Sequence, residues 1–286
     1  MIIIRGKPRD LGDGFHVSRL LPHIEKRAVG PFVFFDYFGP VEFAPGKGID
    51  VRPHPHIGLA TVTYLFEGAQ MHRDTLGSVQ EIAPGDVNWM TAGRGIAHSE
   101  RTGPETRAAG HRMHGIQSWI GLPLADEEAP PSFQHVASRD LPVETRNGVT
   151  LKLITGEALG LKSPVKVFSP IFYADAQFDA DASLTLEPEH EERAVFVVDG
   201  RIEVGGQIHG DGDMVVLAPG EAVTVQALGT GRAMLLGGAP LDGQRHLWWN
   251  FVSSSKDRIE RAKREWEAGA FGKIPGDDLE YIPLPE

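Results

Sequence analysis

Residues 53–68, PHPHIGLATVTYLFEG, are the part of the chain that decides its fold class. Residues 58–66 are rich in β-branched and aromatic side chains and stop at the turn signal Glu67-Gly68, so they predict a strand. His54 and His56 come just before, two residues apart. Because side chains alternate between the two faces of a strand, both imidazoles are predicted to project into the same space. A His-x-His pair placed in this way indicates a metal site.

A second stretch, residues 85–100, GDVNWMTAGRGIAHSE, repeats the pattern. The turn at residues 92–95 leads into His98 and Glu100, again two residues apart and so on one face of a strand. If the two strands face each other across a small barrel, the two pairs meet. Three neutral imidazoles and one carboxylate suit a first-row divalent ion and leave open positions in an octahedral shell. The predicted metal ligands are His54, His56, His98 and Glu100.

Short strands separated by turns recur along the rest of the chain. Gly (34) and Pro (21) are both abundant, and turn signals return about every 8–12 residues, which is typical of an all-β sandwich or barrel. Residues 124–131, LADEEAPP, form a charged loop that ends in Pro, and the same rhythm begins again from about residue 150. The sequence therefore predicts two all-β domains, residues 1–130 and 131–286.

The C-terminal tail breaks this rhythm. Residues 253–269, SSSKDRIERAKREWEAG, begin with Ser caps, end at Gly and carry charged residues at helical spacing, so they predict an α-helix. Ile259, Ala262 and Trp266 follow one another at i, i+3 and i+7 and mark its buried stripe. We expect this helix to pack on its own domain rather than to dock a partner.

Composition and charge argue against several classes of protein. The 286 residues contain no Cys, which removes disulfides, thiolate catalysis and Cys-based zinc sites. The formal net charge of -11 disfavours direct nucleic-acid binding by a broad basic face. No apolar run approaches the roughly 18 residues that a spanning helix needs, and the first residues lack the pattern of a signal peptide. We expect a cytoplasmic protein with no nucleic-acid or membrane partner.

The two quoted stretches resemble the paired motifs of the cupin superfamily. The matching residues are His54, His56 and Gly68 in the first motif and Gly85, Gly95 and His98 in the second. Thr61 occupies the position of the usual Glu of the first motif, so the expected fourth ligand is missing there. Glu100, two residues beyond His98, can replace the lost carboxylate.

This relocated carboxylate is characteristic of the pirin family. Three further strings also resemble pirin segments, namely HRDTLGS at residues 72–78, GIQSWIGLP at 115–123 and FVSSSKDRIERAKREWEAGAFG at 251–272. The resemblance covers nearly the whole chain. It implies a bicupin fold, that is, two antiparallel β-barrel (jelly-roll) domains with a C-terminal helix.

The resemblance further implies that the N-terminal barrel holds the metal and that the C-terminal barrel does not. Val223 stands where the second motif of that barrel would carry its His, and the segment around His190 has no His-x-His pair. Polar residues of this half that could otherwise be ligands are predicted to lie at the surface. They are His190, Glu192, His209 and His246.

Some pirin-like proteins resemble quercetin 2,3-dioxygenases in activity. The resemblance therefore implies an oxidoreductase that opens a flavonol-like chelating substrate with O₂ at one divalent metal ion. Iron(II) is the metal that the family implies, although Mn, Co, Ni, Cu or Zn would also suit these ligands. Glu100 would act both as a ligand and as a proton acceptor.

A rival hypothesis uses the same four ligands. Pirins of complex organisms resemble transcriptional co-regulators, so the chain would be a non-enzymatic iron-binding redox sensor that acts through a regulatory protein partner. A third hypothesis is a vestigial metal protein that docks another enzyme through its second barrel. The motif alone does not separate these alternatives. A monomer is expected in each case.

Side chains around the site are predicted from residue type and position. Aromatic residues that would form the wall of a pocket for a flat substrate, or would alternatively be plain core, are Phe34, Phe35, Trp89 and Trp119. Candidate hydrogen-bonding neighbours of the ligands are His111, His114 and Gln117. His72 and Arg94 are placed at the mouth of the site or simply at the surface.

Overall fold

A computed structural model describes residues 1–10 and 15–285. Strands account for 52% of the chain and helices for 9%. The prediction of a mostly-β protein is therefore confirmed. The closure of the sheets into two jelly-roll barrels stays a prediction.

The strands are short and follow one another along the whole chain. In chain order they are β1 (Ile2–Arg5), β2 (Lys7–Asp10), β3 (His16–Leu21), β4 (Phe32–Phe43), β5 (Asp50–His56), β6 (Leu59–Glu67), β7 (Gln70–Asp74), β8 (Val79–Ile82), β9 (Val87–Thr91), β10 (Ile96–Arg101), β11 (His111–Gly121), β12 (Ser132–Val136), β13 (Val143–Arg146), β14 (Val149–Ala158), β15 (Leu161–Lys162), β16 (Ile171–Phe178), β17 (Ser183–Leu186), β18 (Glu192–Asp199), β19 (Ile202–Val204), β20 (Gln207–His209), β21 (Asp213–Val216), β22 (Val223–Ala227), β23 (Gly231–Gly238), β24 (His246–Trp248) and β25 (Phe251–Ser253). The α-helices are α1 (Pro104–Ala109) and α2 (Lys256–Glu267), and single 3₁₀ turns lie at Leu124–Asp126 and Ser138–Asp140.

Two compact units are each assembled from separate stretches of the chain. The first unit contains Met1–Arg9, Ser18–Tyr37 and Arg139–Pro240, and the second contains Asp10–Val17, Phe38–Ser138 and Leu241–Glu286. The C-terminal tail with α2 thus belongs to the unit that is built mainly from the first half of the chain. The linear division into residues 1–130 and 131–286 stays a prediction.

Two antiparallel sheets lie wholly within the first unit. Their strand orders are β1-β21-β18-β23-β16-β14-β13, with β15 beside β14, and β17-β22-β19-β20. Apolar side chains of these sheets form one buried core, which includes Leu153, Phe172 and Leu235. Arg193 is buried beside this core, and its guanidinium donates to the backbone carbonyl oxygens of Leu186, Glu187, Ala218 and Glu221. These bonds compensate for the removal of the charge from water.

The second unit contains the two sheet regions that carry the conspicuous sequence motifs. One is the four-stranded sheet β5-β10-β7-β8, and the other is the run β12-β9-β6-β11 of a larger sheet. A separate hairpin pairs β24 with β25, so that His246 is opposite Ser253. All these pairings are antiparallel, as expected for strands joined by short turns.

Helix α2 packs against strand β25 and against an apolar cluster that includes Ile57, just after β5, and Ala97 of β10. It spans Lys256–Glu267, so it begins three residues later and ends two residues earlier than predicted. The hydroxyl of Ser255 accepts a hydrogen bond from the backbone N–H of Arg258 and caps the first turn. The predicted stripe is confirmed, because Ile259, Ala262 and Trp266 are buried in one cluster with Ile57, Ala97 and Phe251.

No helix among the described residues is both long enough and apolar enough to cross a membrane.

Replacing Ile259 with Ala tests the contribution of the α2 stripe. Ile259 is 4% exposed, so the substitution Ile259→Ala leaves a cavity in the cluster and should destabilise the second unit by about 2–5 kcal/mol. All five Trp residues lie in this unit, so Trp fluorescence in a urea titration reports its unfolding.

The matched control is Ile24→Ala, the same substitution at a side chain that is 91% exposed in the first unit. It should change stability by no more than about 0.5 kcal/mol. Equal midpoints for Ile259→Ala and wild type would show that α2 does not support the second unit.

Candidate metal centre

Three neighbouring strands of the second unit each carry a pair of polar residues at i and i+2. The pairs are His54 and His56 on β5, His98 and Glu100 on β10, and His72 and Asp74 on β7. Strand β10 is central, and His98 lies opposite His54 on one side and opposite Asp74 on the other. Residues opposite each other in adjacent strands share a face of the sheet. The His-bearing strands therefore meet as hydrogen-bonded neighbours, β5 and β10, rather than across a barrel.

The structure brings together the three predicted histidine ligands. One ring nitrogen from each of His54, His56 and His98 lies within 4.8 Å of the other two. The Nε2 atoms of His56 and His98 are 3.1 Å apart, and the ring centroids of His54 and His98 are 4.4 Å apart. All three side chains are buried. This is the spacing that a single bound ion would require of its ligands.

Main-chain carbonyl groups determine which nitrogen of His54 and of His56 carries the proton. Nδ1 of His54 is 2.8 Å from the carbonyl oxygen of Arg52, and Nδ1 of His56 is 3.2 Å from that of Asn250. A carbonyl oxygen only accepts, so each Nδ1 must be the N–H donor. Each Nε2 is then left with a lone pair, which is the form in which an imidazole binds a metal.

Burial keeps these imidazoles neutral. Desolvation lowers the pKa of His54 to about 4 and lowers the pKa of His56 and of His98 well below the ordinary value. Three neutral imidazoles that converge in a buried site form a donor set suited to a first-row divalent ion. The residues present therefore fit a metal site.

Glu100 lies beside this cluster rather than inside it. Among the described residues, the group within 4.8 Å contains the three histidines and not the Glu100 carboxylate. The register between β5 and β10 shifts between His98 and Glu100, with the extra residue in β5. The pairing of β10 with β7 is regular over the same residues, so His98 and Glu100 keep to one face of β10. Burial raises the pKa of Glu100. Its role as the fourth ligand stays a prediction.

Strands β6 and β11 supply further side chains that contact the site. Thr63 lies opposite Gln117 in their pairing, and the Thr63 hydroxyl donates to Gln117 Oε1 at 2.7 Å. Oε1 of Glu100 lies 3.3 Å from Thr63 Oγ1 and 3.4 Å from Gln117 Nε2. The ring of Trp119 lies 5.1 Å from that of His56. Gln117 thus contacts the proposed ligand Glu100, and Thr63 is an addition to the predicted neighbours. Trp119 lies beside His56, and its role as a pocket wall stays a prediction.

His72 and Asp74 are the functional candidates that sequence reasoning missed. The prediction that His72 lies at the mouth or the surface is wrong, because it is 5% exposed and its Nδ1 is 3.3 Å from Nδ1 of His98. Its Nε2 is 3.0 Å from Oδ2 of Asp74. Burial alone would raise the pKa of Asp74, but hydrogen bonds from His72 and Ser78 lower it below the ordinary value. The signal was present in HRDTLGS, since His72 and Asp74 are also at i and i+2.

A distant hairpin also reaches the site. The loop between β24 and β25 contains Trp249 and Asn250, and the carbonyl of Asn250 accepts the hydrogen bond from His56 Nδ1–H. Trp249 has a φ of +50°, a left-handed conformation that a bulky side chain rarely adopts. Backbone strain of this kind persists only where surrounding contacts hold it. Nothing in the local sequence of this hairpin indicates a link to His56, which lies 194 residues earlier.

The structure does not bring the other three aromatic candidates to the site. Phe34 and Phe35 belong to the first unit, where Phe34 lies under the guanidinium of Arg19 and Phe35 contacts Phe196. Trp89 is opposite Val62 and thus on the other face of β6 from Thr61 and Thr63. These three are core residues, which was the alternative interpretation of their sequence positions.

The remaining polar candidates have other contacts. His111 stacks on Phe43, and neither of its ring nitrogens has a hydrogen-bond partner among the described residues, so it is not a hydrogen-bonding neighbour of the ligands. His114 packs edge-on against Phe66, and its role beside the ligands stays a prediction. The Arg94 side chain is exposed, and its backbone carbonyl accepts a hydrogen bond from Arg258. A role for Arg94 at the mouth of the site stays a prediction.

The predicted surface residues of the second half are less exposed than expected. His209 is buried, so its assignment to the surface is wrong. His190 is half-buried, stacks on Phe172 and lies 2.9 Å from the carbonyl oxygen of Glu157. Glu192 accepts hydrogen bonds from Lys26 Nζ and from the backbone N–H of Gly30. His246 is half-buried in β24. The absence of metal from this half stays a prediction.

Two family models and a full-length relative match this chain. The pirin family model matches residues 14–120, and the model of the pirin C-terminal cupin domain matches residues 173–272. A pirin-like protein of Caulobacter vibrioides is 50% identical and aligns over 100% of this chain and 99% of its own length.

Solved structures give the same result. The crystal structure of a quercetin 2,3-dioxygenase from Acinetobacter baumannii is 36% identical, with a TM-score of 0.92 over 100% of this chain and 95% of that chain. A bacterial pirin from Escherichia coli in complex with nickel(II) is 18% identical and shares the fold, with a TM-score of 0.67 over 84% of this chain and 99% of that chain. The protein has a cupin-type two-domain fold, and the chain belongs to the pirin family.

Proposed function

We propose that the chain binds one divalent metal ion through His54, His56 and His98, with Glu100 as the fourth ligand, and acts as a dioxygenase of the quercetin 2,3-dioxygenase type. One observation carries the proposal. Three buried neutral imidazoles converge, and the buried carboxylate of Glu100 follows His98 on β10. The similarity to a quercetin 2,3-dioxygenase over the full chain supports the reaction class.

The metal would supply a Lewis acid that orients a chelating substrate, lowers the pKa of its hydroxyl and activates O₂. Iron(II) is the proposed ion. Imidazole and carboxylate ligands also accept Mn, Co, Ni, Cu or Zn, so occupancy in the cell depends on availability as well as on affinity. The nickel of the Escherichia coli pirin shows that a divalent ion binds that relative.

The proposed substrate is a flavonol-like molecule, with the 3-hydroxyl and the 4-carbonyl as its chelating pair. Trp119, beside His56, offers an apolar face for a flat ring, and Gln117 offers a polar group that is partly open to solvent. Glu100 is the proposed general base. Its Oε1 is positioned by the Thr63 hydroxyl and the Gln117 amide. Its carboxylate would accept the proton that leaves the 3-hydroxyl oxygen of the substrate.

A second function is favoured by the depth of the site. His54, His56, His98 and Glu100 are at most 8% exposed, so a flavonol would need side chains to move before it reached the metal. A closed site of this kind also suits a protein that binds iron without turnover and passes its redox state to a protein partner. On this hypothesis, the protein partner binds only when the metal is bound and Glu100 is present. A pull-down with Glu100→Ala should therefore lose the proteins that wild type captures.

Metal content tests the ligand set. Wild type reconstituted with Fe(II) without oxygen should hold one ion per chain. Because His56→Ala removes a ligand, its affinity should fall by more than about 100-fold, beyond the effect of losing an outer-shell partner. Elemental analysis after dialysis against a series of weak-chelator concentrations measures the metal retained by each protein, and from it the relative affinity. His16→Ala, a change at an exposed histidine, should retain the wild-type metal content. Full metal occupancy in His56→Ala would show that His56 is not a ligand.

Oxygen uptake tests the reaction. The Fe(II)-loaded wild type should consume O₂ with quercetin and release carbon monoxide. Glu100→Gln keeps the volume and removes the base, so kcat should fall by about 10²–10⁴-fold. Glu260→Gln, an exposed change on α2, serves as the control and should match wild type. An electrode for O₂ and gas analysis for carbon monoxide provide the two measurements.

A wild type that is folded and fully loaded with iron, yet consumes no O₂ with quercetin, would contradict the flavonol reaction. An unchanged kcat in Glu100→Gln would contradict the role of Glu100 as the base while leaving the reaction in place.

A further inference from the structure

The third polar pair on the site face, His72 and Asp74, has no part in the proposed reaction, yet it lies directly behind one of the ligands. Asp74 is fully buried and lies opposite His98 across the β7–β10 pairing. His72 is buried between Asp74 and His98. Two buried polar side chains in this position need an explanation, because each costs desolvation free energy unless its hydrogen bonds are satisfied.

Asp74 determines the orientation of the chain of hydrogen bonds. Its Oδ1 accepts from the backbone N–H of Leu76 at 2.9 Å and from that of Ser78 at 3.0 Å. Its Oδ2 lies 3.0 Å from Nε2 of His72. An ionised carboxylate has no proton to donate, so the hydrogen atom must be on Nε2 of His72.

The position of the proton on His72 determines its position on His98. A neutral His72 with its proton on Nε2 has a lone pair on Nδ1, and this atom is 3.3 Å from Nδ1 of His98. The contact is a hydrogen bond only if His98 carries its proton on Nδ1. The ring of Phe133 stacks on His72 at a centroid distance of 4.3 Å and an interplanar angle of 13°. This contact fixes the orientation of the His72 ring.

We propose that Asp74 and His72 form a relay that fixes the tautomer of His98, so that its Nε2 keeps the lone pair that binds the metal. His54 and His56 reach the same state through backbone carbonyl groups. His98 alone depends on side chains for it. This makes His72 and Asp74 positioning residues. The inference rests on the proposed metal site, but not on the proposed reaction.

Three substitutions separate the polarity of the relay from its bulk. In His72→Gln, the amide oxygen can accept from His98 and the amide nitrogen can donate to Asp74, so the tautomer of His98 is retained. In His72→Leu, the acceptor is lost. In Asp74→Asn, the oxygen stays with the two backbone donors and the amide nitrogen faces His72. This reverses the relay and places the proton of His98 on Nε2, where it blocks the metal.

The first measurement is the affinity for Zn(II), obtained by competition with a chromophoric chelator. His72→Leu and Asp74→Asn should bind Zn(II) about 10–100-fold more weakly than wild type, as for other outer-shell partners, and His72→Gln should stay close to wild type. Asp175→Asn is the matched control, since Asp175 is also a buried carboxylate, paired with Arg232 in the first unit. It should leave Zn(II) affinity unchanged. Wild-type affinity in both His72→Leu and Asp74→Asn would overturn the proposal.

The second measurement needs neither metal nor activity. Imidazole ¹⁵N shifts of the metal-free protein should show His98 protonated at Nδ1 in wild type and in His72→Gln, and at Nε2 in Asp74→Asn. This readout does not respond to a general loss of stability. Protonation of His98 at Nε2 in wild type would overturn the relay. If the relay holds and Fe(II)-loaded wild type consumes no O₂ with quercetin, the proposed reaction fails by itself. If O₂ is consumed but the relay variants match wild type, the relay fails by itself.

Discussion

The convergence of three neutral imidazoles on one face of a sheet is the constraint on which the rest of the site depends. Strand alternation sends His54 and His56 to the same side, and the pairing of β5 with β10 adds His98 directly opposite His54. Each ring must also present an unprotonated nitrogen to a shared point. Burial favours the neutral form, and hydrogen-bond acceptors at Nδ1 select the tautomer. A divalent ion is the ligand that this arrangement suits.

Distant parts of the second unit hold these strands in place. The loop of the β24–β25 hairpin supplies the acceptor for His56, and α2 packs against Ile57 and Ala97, the neighbours of His56 and His98 on the other face of the sheet. The C-terminal tail therefore contacts β5 through the hairpin loop and supports the opposite face of the sheet through α2. This explains physically why a chain with its motifs in the first half needs a tail of this kind within the same unit.

The sequence predicted the parts of this account that depend on local periodicity. The all-β class, the paired motifs and the stripe of α2 follow from alternation and helical spacing, and the structure confirms the class and the stripe. Pairing and register are not local properties. They account for the pairing of β5 with β10 as neighbours rather than across a barrel, and for the location of Trp89 on the far face of β6. His72 was assigned to the mouth of the site or to the surface because a single His does not indicate a buried position. The i, i+2 pair that it forms with Asp74 on β7 does indicate a shared strand face.

The central claim is that His54, His56 and His98 jointly hold one divalent ion, and X-ray absorption at the zinc edge of the Zn(II)-loaded protein tests it most directly. The account predicts three imidazole ligands, identified by their multiple scattering, at nitrogen distances of about 2.0–2.1 Å, together with oxygen ligation. A spectrum with one imidazole or none, from protein that holds one ion per chain, would contradict it.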